Sequence, residues 1–165
     1  MLTVDENHLL TLTGPATAMG DYLRDRWTPA VRAGLLEADG APARVRLFGK
    51  NYVAFRATDG RVGFLDEECP HRRVSLAIAR NEGNGLRCLF HGWKIDVTGK
   101  LVDAPSEPAE RQEAFCAAIK VNRYQAREAG GLVWVYLGAR GAAALRRFRI
   151  CAPSRKPCRY PPRGG

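Results

Sequence analysis

The chain has 165 residues, 45% of them hydrophobic, with 26 Lys and Arg against 17 Asp and Glu, a composition that suits one globular domain with an appendage. No stretch approaches the ~20 apolar residues that cross a bilayer, and Met1-Leu2-Thr3-Val4-Asp5-Glu6 is no basic-then-apolar leader; no membrane is expected as a partner, and a reducing cytoplasm is the expected compartment. The formal charge of +9 belongs to the end of the chain, because eight basic residues and no acid follow Gly138, leaving 18 basic against 17 acidic before it; the body has no general electrostatic reason to bind nucleic acid.

Residues 1–43 read as an N-terminal extension with one short helix over 18–27, where Met19, Tyr22, Leu23 and Arg26 recur at i, i+3, i+4 and i+7. From residue 44 the pattern changes to short runs of β-branched and aromatic residues separated by turn chemistry, which predicts a mostly β, antiparallel domain over 44–138. The expected strands are 45–48, 52–56, 62–65, 86–89, 93–96, 117–124 and 132–137. Between them stand Gly49-Lys50-Asn51, Asp59-Gly60, Thr98-Gly99 and Gly130-Gly131, with Asp59-Gly60 reading as a hairpin turn. Residues 139–165 form a basic tail in which Arg, Ala, Gly and Pro make up 19 of 27 positions, a content that predicts disorder.

Within the sheet pattern lie Cys69-Pro70-His71 and Cys88-Leu89-Phe90-His91, each supplying one thiol and one imidazole. In a reducing compartment, cysteines point to metal ligation or free thiols rather than to disulfides. Structural zinc sites draw on the same residue types, but their ligands pair Cys with Cys and His with His at short spacing. Here the classes alternate, which suits a two-iron cluster with both cysteines on one iron and both histidines on the other, the ligation of a Rieske [2Fe–2S] centre. A zinc interaction module and coincidental core residues are the competing readings. Pro70 and Gly92 suit tight ligand loops or ordinary turns, and Trp93 either shields a cluster or fills sheet core. Arg72 and Arg73 read as solvated loop cations, or as a docking aid for an acidic donor. Cys116 beside Phe115 reads as a small buried residue, His8 as a solvated one.

The segment Cys69-Pro70-His71-Arg72 and Cys88-Leu89-Phe90-His91-Gly92-Trp93-Lys94-Ile95-Asp96 resembles the Rieske motif of ring-hydroxylating oxygenase large subunits. The flanks Leu12-Thr13-Gly14-Pro15, Asp103-Ala104-Pro105-Ser106-Glu107-Pro108 and Arg127-Glu128-Ala129-Gly130-Gly131-Leu132-Val133-Trp134 resemble the phthalate 4,5-dioxygenase-like group, over roughly residues 12–138. The resemblance implies a Rieske-type antiparallel β-sandwich with two cluster-binding loops. It implies that Cys69, His71, Cys88 and His91 ligate a [2Fe–2S] cluster, and that an NADH-dependent reductase carrying flavin and an iron–sulfur centre supplies electrons. It also implies a homo-oligomer in which each cluster feeds a mononuclear Fe(II) across a subunit boundary. Respiratory-type Rieske proteins carry an extra Cys in each loop and a Ser after the His-Gly pair; here Trp93 follows Gly92, so fewer hydrogen bonds reach the cluster sulfurs and the potential is expected near the low end of the Rieske range.

The mononuclear iron of such oxygenases needs two His and a carboxylate. With three His in total and two assigned to the cluster, only His8 remains, so the expected activity is electron relay, with no catalytic residue of its own. The compositional break after Gly138 reads as a frameshifted end to a truncated oxygenase, in preference to a basic arm for nucleic acid or membrane; Cys151 and Cys158 stand too isolated there for a metal site. The alternative reading of the whole chain is a free-standing Rieske-type ferredoxin, against which the oxygenase-like flanks speak.

Overall fold

The structure is a computed structural model that describes residues 2–139; the expected disordered tail, with Cys151 and Cys158, lies outside the described residues apart from Ala139. The chain opens with two short helices, α1 (Val4–Thr11) and α2 (Ala18–Arg24). The first is started by a capping box, Thr3 accepting from the Glu6 N–H while the Glu6 carboxylate accepts from the Thr3 N–H at 2.8 Å, which satisfies two of the helix's orphan donors. The second, capped by the Thr17 hydroxyl, is the helix expected over 18–27, but it stops three residues early. Trp27 instead begins β1 (Trp27–Arg32), an unforeseen strand that tolerates Pro29 at a sheet edge, next to a shift of register between Pro29 and Val31.

The next three strands form an antiparallel meander, β2 (Ala43–Leu47), β3 (Lys50–Arg56) and β4 (Val62–Asp66), as the alternation and the Asp59-Gly60 turn predict. Four three-residue strands follow, β5 (Arg80–Glu82), β6 (Gly85–Arg87), β7 (Lys94–Asp96) and β8 (Leu101–Asp103), in one antiparallel sheet in that order. After α3 (Ala109–Ala118) the chain ends its described part with β9 (Gln125–Ala129) and β10 (Leu132–Tyr136). The latter lies between β9 and β1, so this sheet takes strands from both sides of residue 44. The fold is mostly β and antiparallel, in the Rieske-type sandwich arrangement that the resemblance implied.

The meander separates two cores. Period-two alternation sends Tyr52 and Ala54 of β3, with Phe64 of β4, to one face, where Leu36, Val133 and Val135 complete an apolar cluster. Val53, Phe55 and Leu65 face the other way, onto Leu76, Leu86, Ile95 and Leu101. Each fully buried Val, Leu, Ile or Phe among them contributes roughly 1.5–3 kcal/mol. The second core lies directly under Cys69, Cys88 and Trp93, which belong to it.

The strand expected over 117–124 is not there. Residues 109–118, AERQEAFCAA, are rich in helix formers and continue the helix through Ala118. The apolar alternation of Ile119 and Val121 is real, since Val121 is buried, but this segment crosses between sheets instead of lying in one. Its backbone contacts to the sheets are two isolated bridges: Lys120 lies opposite Lys100, with Val121 N–H donating to Gly99 O and Leu101 N–H to Ile119 O, and Arg123 lies opposite Leu65, with Tyr124 N–H donating to Phe64 O and Asp66 N–H to Asn122 O.

Candidate metal centre

The two cysteine–histidine segments are built on one backbone frame. In loop 1 the Cys69 N–H donates to Val74 O and the Arg73 N–H returns to Cys69 O, each at 2.9 Å; in loop 2 the Cys88 N–H donates to Trp93 O at 2.9 Å and the Gly92 N–H returns to Cys88 O at 3.1 Å. The residue four places after each cysteine is left-handed, Arg73 with φ 56° and Gly92 with φ 74°. Glycine adopts that conformation freely, and at Gly92 a Cβ would also press on Pro105 Cγ at 3.2 Å.

Packing of the two frames side by side sorts the four side chains by class. Cys69 and Cys88 are buried, both as free thiols, while His71 and His91 are exposed, with ring centroids 4.5 Å apart. Burial pushes the Cys69 thiol up to about 11; the backbone N–H groups of His71 and Arg72 aim at its sulfur and favour the thiolate, and the nearby Cys88 opposes it. Proline at 70 has no N–H to give, so these two donors are the next available along the loop. Trp93, 6% exposed, stacks on the His71 ring at 4.5 Å and 10°, which keeps water from that face.

The donor set suits a two-metal cluster. Among the described residues no three His, Cys, Asp or Glu side chains gather to hold a single metal ion, as the tetrahedral zinc reading requires. A [2Fe–2S] cluster asks for only two protein ligands per iron, its sulfides supplying the rest, and a buried thiol pair beside an exposed imidazole pair meets that demand. The cleft beside loop 1, about 560 Å³, is lined by Cys69 and Pro70 but by neither histidine, and both imidazoles are exposed to solvent. Around it Arg72 and Arg73 are solvated, as expected; the Arg73–Glu68 pair at 3.6 Å joins side chains 84% and 62% exposed and contributes little. Cys116 is buried in the core under the loops, and His8 is exposed on α1.

Sequence reasoning missed the two charged groups that brace the loops. Glu67, 5% exposed, accepts from Arg44 Nε at 2.7 Å and from the Ser75 hydroxyl, tying the two sides of loop 1 together. Arg87 does the same for loop 2, donating to Gly92 O at 2.7 Å, to Asp103 Oδ2 at 2.8 Å and to Glu82. Neither residue carries a local signature, since Arg44 and Asp103 are brought in by sheet packing. Glu67→Ala should destabilise the protein by about 2 kcal/mol, because the Arg44 and Ser75 donors lose their acceptor. Arg44→Ala should cost less, its side chain being 57% exposed; urea denaturation of both variants checks the order.

A family model described as the Rieske [2Fe-2S] domain matches residues 26–125. The chain is 51% identical to the phthalate 4,5-dioxygenase oxygenase subunit of Pseudomonas putida over 86% of its own length and 32% of that protein. It is 45% identical to the 3-chlorobenzoate-3,4-dioxygenase oxygenase subunit of Comamonas testosteroni, over 85% of this chain and 32% of the other. Among solved structures, the oxygenase–ferredoxin complex of carbazole 1,9a-dioxygenase superposes with a TM-score of 0.64 at 28% identity, covering 75% of this chain and 31% of that one. The chain thus spans about a third of the length of the curated relatives it matches.

Proposed function

Because this chain belongs to the Rieske [2Fe-2S] domain family, we propose that it is the electron-relay part of an aromatic-ring-hydroxylating oxygenase of the phthalate dioxygenase kind, with Cys69, Cys88, His71 and His91 as the cluster ligands. The observation that carries the reading is the sorting of the four side chains, thiols buried and imidazoles adjacent and exposed. When bound, a Rieske cluster supplies one-electron redox chemistry, within roughly −150 to +300 mV. The chain's own residues set the conditions. The Cys69 and Cys88 side stays dry in the core, the His71 and Arg72 N–H groups support the Cys69 thiolate, and Trp93 shields one face of His71. The two imidazole edges are left to face a partner.

The electron donor in this reading is an NADH-dependent reductase with flavin and an iron–sulfur centre, and the acceptor is a mononuclear Fe(II) site that the three histidines of this chain do not furnish. The whole protein is a cytoplasmic homo-oligomer acting on an aromatic acid, by likeness to oxygenase subunits for phthalate and 3-chlorobenzoate. Those relatives favour an oxygenase part over a free-standing ferredoxin.

Iron and acid-labile sulfide analysis with electron paramagnetic resonance tests the reading. Equal iron and sulfide, with the low average g value of a histidine-ligated reduced cluster, is the expected result; zinc without sulfide overturns it. A redox titration should place the midpoint near the low end of the Rieske range, because an indole stands where a hydroxyl donor to sulfur stands in the respiratory type. A clearly positive midpoint would contradict that assignment of donors.

A further inference from the structure

Helix α3 lies outside both loops, yet two chains of contact lead from one of its faces to them. Gln112 and Phe115 are three residues apart and so share a face. Gln112 Nε2 donates to Asp103 Oδ1 at 2.7 Å, Asp103 Oδ2 accepts from Arg87 Nη1 at 2.8 Å, and the same Nη1 donates to Gly92 O at 2.7 Å. Phe115 meets the Trp93 indole edge-on at 5.4 Å, and that indole stacks on His71. The first chain ends on loop 2 and the second on loop 1.

We propose that α3 is a shared backstop for the two ligand loops, with Arg87 the positioning residue for loop 2 and Phe115, acting through Trp93, the positioning residue for loop 1. The proposal rests on the cluster reading above. Loop 2 needs such a brace because Gly92 is the one left-handed residue in it with no side chain of its own to hold it. A planar peptide fixes the Trp93 N–H opposite to the Gly92 carbonyl, so the Arg87 bond sets the direction of that whole peptide. Arginine suits the task better than lysine because its fork reaches Glu82, Asp103 and the carbonyl together. Gln112 in turn holds the carboxylate that holds the arginine.

Amide hydrogen exchange in the loaded protein, with its rate of cluster loss and its electron paramagnetic resonance spectrum, provides the test. Arg87→Gln is expected to speed exchange at Gly92 and to speed cluster loss about tenfold or more, the factor that one hydrogen bond to a charged group commands. Arg87→Lys should fall between the two. Gln112→Ala should have a smaller effect of the same kind that disappears in the Arg87→Gln background, since residues in one chain of contacts are not additive. Phe115→Leu should alter the nitrogen couplings of the histidine ligands while leaving Gly92 exchange unchanged. Additive Gln112 and Arg87 effects, or unaltered exchange and spectra in all four variants, overturn the proposal while a normal cluster in the parent protein leaves the cluster reading intact; a parent protein that takes up no cluster overturns both.

Discussion

Cys88→Ala will leave the protein without its visible chromophore and without bound iron and sulfide, whereas Cys116→Ala will retain all three. Both thiols are buried, at 4% and 8% exposure, and both belong to the same apolar core, so the loss of a small buried side chain is common to the two variants. They differ in position. Cys88 stands at the start of loop 2, its N–H and C=O engaged in the loop frame and its thiol beside that of Cys69, while Cys116 lies on α3. Changes in groups that merely support ligands already cost ~10–100-fold in metal affinity, so removal of a direct ligand should exceed that. Absorption spectra and metal analysis of the two purified variants check the result, and a full chromophore in Cys88→Ala would overturn the ligand assignment.

Gly99→Ala will be among the most destabilising single changes in the fold, at about 2–6 kcal/mol. Gly99 turns between β7 and β8 with φ 78°, and a Cβ there would stand 2.2 Å from the Val121 carbonyl oxygen, a backbone atom that cannot rotate away. A left-handed non-glycine residue costs ~1–3 kcal/mol, and the forced displacement adds ~1–3 kcal/mol. The displaced oxygen belongs to the crossing segment between α3 and β9, which Val121 N–H ties back to Gly99 O at 2.7 Å. Gly131→Ala separates the two effects, because Gly131 has φ 76° but nothing within 4 Å of its Cβ position; it should lose only the ~1–3 kcal/mol of the left-handed conformation. Urea melts of the two variants measure the difference, and equal losses would show that the close approach at Gly99 relaxes freely.

Strands β2, β3, β4 and β10 were legible because each is a run whose alternation or β-branched content persists for five or more residues, bounded by Gly or Asp-Gly turns. Strand β5 is Arg80-Asn81-Glu82, with no apolar or β-branched residue to mark it, whereas the equally short β6 and β7 carry the buried Leu86 and Ile95. Helix α1 was not expected: its eight residues bury none of their side chains, so no amphipathic stripe marks it in the sequence. At residues 117–124 the β-branched pair misled, since burial of alternate residues follows from a single crossing as well as from a ladder.

The amino-acid sequence by itself determined the chemistry of the candidate centre, because two loops that each carry one thiol and one imidazole can be recognised from spacing within each loop. It also determined the meander that supports them, since side-chain alternation is a local property of extended backbone. Tertiary structure decided which side of the site faces water, placing thiols inward and imidazoles outward, and it alone supplied the braces. Glu67 and Arg44 lie 23 residues apart, and Arg87 and Asp103 lie 16 apart. Such pairs depend on strand register and on how sheets pack, so no short window of sequence contains them.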